Sequence, residues 1–346
     1  MNKIKILSVV LAAILLFAAC NKDNSSNNSS DNDSTAAVVN DEFVGKAYKM
    51  VYKFPEGLSL KYKLTSVDNT SQTITQPDSS VTSDVTQTST YVFHIKSLGK
   101  TAENYKLSIT INSVNLRATY KDEVVEFDSE KDIDDASKKK FAEYAALNDA
   151  TYNIVVDERG MIQEVTDIDK VVDNFLKIQN APSITADQRT QLETQMKQAA
   201  IQPISQQMFK YMPENEVGID STWEFSYDSG MSVFQLKNTA KSSVININEK
   251  DDDKIAEISI NLSVQAEGNG QVSEQGMAYN FSKPNVTGTG KTFFNIDKGY
   301  LVKAETSTRV EMNLNVTGND PQKGQMTASR SDLTQNKNYL ELLEVN

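Results

Sequence analysis

Gly290-Lys291-Thr292 reproduces the end of a phosphate-binding loop. In such a loop backbone N–H groups cradle the phosphates and the lysine reaches the terminal ones. The loop needs a glycine five residues before Gly290, where Asn285 stands, and a helix whose N-terminus faces the phosphate. Phe293-Phe294-Asn295-Ile296 follows and reads as a strand, so nucleotide binding is not expected. His94 is the single histidine and falls on the polar face of an alternating run. A histidine-rich zinc site cannot be built from it, and a Ser-His-Asp triad would rest on this one residue. Two carboxylate chemistries remain. A pair of acids about 5–10 Å apart would cleave a glycan. Asp132, Asp134 and Asp135, or Asp251, Asp252 and Asp253, would offer oxygen ligands to calcium. With 47 acidic residues in the chain, such groupings arise by chance. The run at 251–253 lacks the alternating spacing and glycine of an EF-hand loop and reads as a solvated hairpin tip. Neither a metal nor a cofactor is expected. Trp223, Phe225 and Tyr227 alternate on one strand face, either as a core stripe or as an aromatic ligand platform.

Cys20 is the only cysteine, so no intramolecular disulfide can form. Lys3 and Lys5 precede an apolar run, Ile6 to Phe17, too short for a bilayer core that takes roughly 20 residues to cross. Ala18 and Ala19 are the small residues that a signal peptidase takes before its cut. Phe17-Ala18-Ala19-Cys20 resembles the bacterial lipobox. That resemblance implies cleavage between Ala19 and Cys20, a diacylglycerol on the thiol and an acyl chain such as palmitate on the new N-terminus. One chain binds a membrane only marginally, whereas several make attachment lasting. Asn21 to Asn40 is mostly Asn, Ser and Asp, too polar to offset its ordering entropy, and reads as a flexible tether. Lys22-Asp23 resembles part of the lysine-plus-acid signal that sends Bacteroidota lipoproteins to the cell surface. Asp33-Ser34-Thr35 resembles the short O-glycosylation motif of the same bacteria, which makes Ser34 a candidate; Asp220-Ser221-Thr222 matches it too. The expected address is the outer membrane, on either face.

These features need a folded body to carry. The formal net charge of −12 disfavours nucleic acid and anionic headgroups as partners. Strand signals dominate. Leu58, Leu60, Tyr62 and Leu64 alternate with polar residues, as do Tyr91, Phe93 and Ile95, and Leu107, Ile109 and Ile111. Pro55-Glu56-Gly57 reads as the turn into the first strand. Between about 135 and 212 the period becomes helical. Ile168, Val171, Val172, Phe175 and Leu176 share a face behind Thr166 as N-cap, and Thr185 with Gln188 forms a capping box for the next helix, which Pro203 breaks. Strands return from Trp223. Tyr152 to Ile162 parallels Thr292 to Leu301, each a strand, a polar turn with glycine and a strand, which points to a duplicated meander.

The expected organisation is a leader (1–19), a lipidated tether (20–42), a first meander (43–134), a helical segment with a hairpin at 151–165 (135–213) and a second meander (214–346). The fold class is α+β, mainly antiparallel β, with two similar curved meander sheets and the helical segment inserted between them. The lipobox, the tether, the helical middle, Tyr211-Met212-Pro213 and Gly218-Ile219-Asp220-Ser221-Thr222-Trp223 resemble a family of uncharacterised Bacteroidota lipoproteins of similar size. More loosely, the arrangement is similar to lipoprotein-carrier half-barrels, where a curved sheet wraps a helical plug around an apolar cavity. The expected function is a non-enzymatic, lipid-anchored envelope protein, a binding or structural module, which could hold a hydrophobic ligand if the helices leave a half-barrel-like cavity in the sheet. The alternatives are a carboxylate-dependent glycan hydrolase and a surface adhesin or assembly partner.

Overall fold

The computed structural model describes residues 40–346 except 102, 122, 182, 275 and 321–323. Ala19, Cys20 and Ser34, with the leader and nearly all of the tether, lie outside the described residues. The first strands are β1 (Ser59–Gln76), β2 (Ser79–Thr101), β3 (Asn104–Tyr120) and β4 (Glu123–Asp128). Short helices α1 (Asp135–Lys140) and α2 (Ala142–Leu147) lead into the hairpin β5 (Thr151–Val156) and β6 (Ile162–Thr166). Helices α3 (Asp169–Ile178), α4 (Ala186–Met196) and α5 (Gln202–Gln207) follow. The chain then runs through β7 (Thr222–Met231), β8 (Phe234–Lys250), β9 (Asp253–Glu267), β10 (Gln271–Glu274) and β11 (Met277–Phe281). It ends with β12 (Asn285–Asn295), β13 (Tyr300–Asp320) and β14 (Gly324–Val345). None of the helices among the described residues is long and apolar enough to cross a membrane.

The protein is mainly antiparallel β with a helical segment between strands, as the alternation predicts. Leu60, Tyr62, Leu64, Tyr91, Phe93, Ile95, Leu107, Ile109 and Ile111 are all buried. The two meanders share one open sheet of 14 strands. β14 pairs with β1 on one side and β13 on the other, which joins them edge to edge. Along the sheet the order is β6-β5-β3-β2-β1, then β14, then β13-β12-β9-β8-β7. The same descending order occurs twice, and it places the hairpins β5–β6 and β12–β13 in equivalent positions.

Those two hairpins are braced by neighbouring residues. The Tyr52 N–H donates to the Glu158 carbonyl at 2.8 Å, and the Lys53 N–H to the Gly299 carbonyl at 2.9 Å. Both turns bring a glycine into positive φ, +90° at Gly160 and +75° at Gly299. The Tyr52 ring then packs against Phe54, Phe209 and Phe294, with centroids 5.3–5.7 Å away. This contact ties the helical segment to both halves of the sheet.

Local chemistry explains the helix ends. Thr185 and Gln188 form the predicted capping box. Thr166 does not cap α3; it closes β6, and Ile168 holds the N-cap position without a side-chain bond. A π-turn at Lys197–Ile201 separates α4 from the helix expected after Pro203, which is α5, and the proline sits in the first turn of α5, a position that tolerates it. Asp134 is the N-cap of α1, accepting from the Ala136 and Ser137 N–H groups at 3.0 Å. Asp251 and Asp252 form a two-residue β8–β9 turn, both at positive φ and exposed.

Candidate functional site

The helical segment and the second half of the sheet do not close completely. Between them lies a cavity of about 220 Å³. Its wall is formed by the β5–β6 turn and residues 206–211, and its floor by β7, β8, β9, β12 and β13.

Strand register builds the floor in two rows. Ser242, Ile260, Gly290 and Thr306 lie directly opposite one another across β8, β9, β12 and β13. One step along the strands, Phe225, Ala240, Leu262 and Gly288 form the second row, starting on β7. One row is thus hydroxyl-bearing at its ends and the other apolar. The glycines keep the floor low. A Cβ at Gly288 would stand 3.0 Å from Leu262 Cδ2, and one at Gly290 3.0 Å from Thr306 Cγ2. The stretch that copies a phosphate loop is therefore a strand with bare backbone on the cavity side.

The wall is aromatic. Tyr211 stacks on Phe225 at 4.2 Å and Phe225 on Tyr227 at 5.9 Å. The Arg159 guanidinium sits 4.4 Å above the Tyr211 ring and donates through Nε to the Met212 carbonyl at 3.2 Å. Trp223 has a different role from its two neighbours. Its Nε1–H donates to the Tyr211 carbonyl at 3.0 Å, so it holds the aromatic wall in place, while Phe225 and Tyr227 line the space.

Lys210 is the one charged residue of the lining, and no Asp or Glu is among the described lining residues. Its backbone is clamped by Tyr52, whose phenol accepts from the Lys210 N–H at 2.7 Å and donates to the Lys210 carbonyl at 3.1 Å. Burial strips water from the ammonium and brings its pKa down to about 8. Gln207, Ser242 and Thr306 are only 4–8% exposed and also line the cavity. Sequence reasoning singled out Phe225 and Tyr227 and missed Gln207, Lys210, Ser242 and Thr306. Phe209-Lys210-Tyr211, a lysine between two aromatics just before Pro213, was the available signal.

Beyond the cavity both rows continue as buried polar residues, through Asn338, Ser66 and Ser89 and through Asn336, Asp68 and Gln87. The Asn336 amide donates to Asp68 at 2.6 Å and Ser66 Oγ to Asp68 at 3.3 Å, with the phenols of Tyr91 and Tyr144 nearby. Burial raises the Asp68 pKa against the pull of these bonds. A carboxyl with a raised folded pKa keeps its proton longer in the native state. Its contribution is therefore full below the unfolded pKa and is lost as pH rises through the folded one. Asp68→Asn keeps the shape and removes the charge. Its melting temperature should exceed that of the wild type at neutral pH, and the gap should shrink on acidification. A gap that stays constant with pH would show that ionisation of Asp68 is not its source.

The other sequence candidates are not brought to this cavity. His94 Nε2 is hydrogen-bonded to Ser59 Oγ on the neighbouring strand. Among the described residues no three His, Cys, Asp or Glu side chains are grouped to hold a metal ion.

A profile described as a family of unknown function, DUF6263, matches residues 102–300. No curated protein matches the chain significantly. A lipovitellin structure concerned with lipid–protein interactions is 10% identical with a TM-score of 0.41, over 85% of this chain and 26% of its own. The chain thus spans about a quarter of that protein. An outer membrane channel from Pseudomonas putida F1 is 7% identical with a TM-score of 0.18, over 84% of this chain and 97% of its own. At such scores neither likeness carries beyond a richness in β-strand.

Proposed function

Because the chain belongs to DUF6263, a family that prescribes no activity, we propose its function from the cavity: a lipid-anchored envelope lipoprotein that binds a small apolar molecule without transforming it. The carrying observation is the wall of Phe209, Tyr211, Phe225, Tyr227, Ile260 and Leu262 around an open space. Ligand sites are typically apolar hollows with a few placed polar groups, and this one has that composition. At about 220 Å³ it is smaller than the ~300–1,000 Å³ of drug-sized sites, so it takes a ring or part of a chain. The lack of a lining carboxylate supports binding over glycan cleavage, which needs two.

The anchor rests on Cys20, which joins the protein to the outer membrane by its lipid. Cys20→Ser should abolish acyl labelling and move the protein from the membrane to the soluble fraction; acylation of the variant would refute the anchor. Binding is tested with N-phenyl-1-naphthylamine, a neutral fluorescent probe, on the full chain. Saturable enhancement is expected. Ala240→Phe, which puts a ring into the space above β8, should remove it with circular dichroism unchanged. Failure of the wild type to bind, or undiminished binding by a folded variant, would refute the cavity reading.

A further inference from the structure

The helical segment holds a second hollow, of about 620 Å³, which shares no lining residue with the apolar cavity. It is bounded by the β4–α1 loop, α1, the end of α2 and the end of α3. In a chain with 47 acidic and 35 basic residues, this hollow is lined by Lys131, Lys138, Lys139 and Lys177 against one acid, Asp135. The local sign is the reverse of the molecule's. A lysine in the last turn of a helix complements its C-terminal carbonyls, which accounts for one on α1 and one on α3. It does not account for four lysines from three elements around one space.

Lys131 is neutralised by Asp128 at 3.1 Å. Among the described residues the ammonium groups of Lys138, Lys139 and Lys177 form no ion pair or hydrogen bond. Several like charges around one concave space reinforce each other's potential and draw an anion into it. The frame that carries them is already fixed. The Gln179 amide donates to the Lys139 carbonyl at 3.4 Å, and the Asn174 amide to the Ala146 carbonyl at 3.1 Å, so α1 and α2 are both tied to α3. Binding then has only side chains to order. Asn148 also lines the hollow. Its Nδ2–H donates to Asp149 at 3.1 Å, while its buried Oδ1 has no hydrogen-bond partner among the described residues. A left-over acceptor calls for a ligand that brings a donor, which a sulfate or chloride ion does not.

The geometry points to a sugar phosphate as the ligand of this hollow, its phosphate monoester held by Lys138, Lys139 and Lys177 and its hydroxylated ring set beside Asn148, Phe127 and Ile178. A phosphate monoester carries about −1.5 to −2 charge at pH 7 and has three strong acceptor oxygens, one for each free ammonium. A monocarboxylate would leave two of the three unmet. Lysines serve as point charges from any direction, so a tetrahedral group suits them without the planar fork of arginine. The volume falls within the ~300–1,000 Å³ of small-molecule sites. A soluble ligand is favoured over an anionic lipid surface, because the surface must meet the whole chain of net charge −12 and the solute meets only the hollow.

The test is isothermal titration of the full chain at low ionic strength with glucose 6-phosphate, glucose and sulfate. Glucose 6-phosphate should saturate one site, glucose should give no heat, and sulfate should bind more weakly. The triple variant Lys138→Gln, Lys139→Gln, Lys177→Gln should lose about tenfold or more in affinity for glucose 6-phosphate. A control triple, Lys96→Gln, Lys237→Gln, Lys283→Gln, removes the same charge from exposed positions outside the hollow and should bind as the wild type does. Circular dichroism confirms that both fold. Lys177→Gln alone, at an exposed helix position, should still weaken binding several-fold if the site triple is unstable. Absence of glucose 6-phosphate binding to the wild type would overturn the assignment. So would sulfate binding as tightly as glucose 6-phosphate, or equal losses in the two triples. None of these outcomes bears on the apolar cavity, whose probe is neutral.

Discussion

Gly160→Ala is expected to cost about 2–5 kcal/mol of folding stability, where Gly45→Ala costs about 1. Both glycines lie at positive φ, +90° and +77°. The backbone penalty is therefore shared, and the difference isolates packing. At Gly45 a new Cβ meets nothing within 4 Å. At Gly160 it stands 2.5 Å from Tyr52 Cε2 and 2.6 Å from the Lys210 carbonyl oxygen. Neither neighbour can yield. The ring is wedged among Phe54, Phe209 and Phe294, and the carbonyl is bonded to the phenol. Asp157 holds the turn itself, accepting from the Arg159 and Met161 N–H groups at 2.9 Å. Urea midpoints for the two variants give the comparison directly. Equal losses would mean that the β5–β6 turn is not pressed against the Tyr52 brace.

Tyr52→Ala should be as severe from the other side of the same contact. Removing a fully buried aromatic ring costs about 3–5 kcal/mol, and the stranded Lys210 N–H and carbonyl add about 1–3 more. Tyr52→Phe separates the two contributions, since it keeps the ring and forfeits only the hydroxyl. The phenylalanine variant should therefore fall between wild type and alanine in its denaturation midpoint. Should it match the alanine variant, the hydrogen bonds rather than the ring would hold the brace; should it match the wild type, the clamp on Lys210 would contribute nothing to stability.

Much of this architecture is legible in hydropathy. Period-two runs such as Leu107, Ile109 and Ile111 can bury one face only as strands, and all three are fully buried. The capping box at Thr185 is local chemistry and is read locally. Thr166 failed as a cap because the strand pairing of β6, a tertiary contact, extends through it. The cavity was illegible for a related reason. Its floor is assembled by register across five strands, so Gly290 finds Ile260 and Thr306 only after pairing. A local motif reads that glycine as a phosphate ligand; the sheet uses it as missing volume. The inner-face polar residues Ser66, Asp68, Asn336 and Asn338 were hidden too, because alternation assigns polar side chains to water and these are buried together.

The position of β14 at the seam of the sheet has a kinetic consequence. It sets Leu60 beside Val345 and Lys303 beside Glu341, so a strand made after both β1 and β13 is the one that joins the two halves. Until it arrives, the long inner margins of β1 and β13 carry unpaired N–H and C=O groups, the usual templates for edge-to-edge aggregation. Pairing across nearly the whole chain also closes a large loop before any reward is gained, which makes such folding slow. Before β14 pairs, neither of these margins is protected.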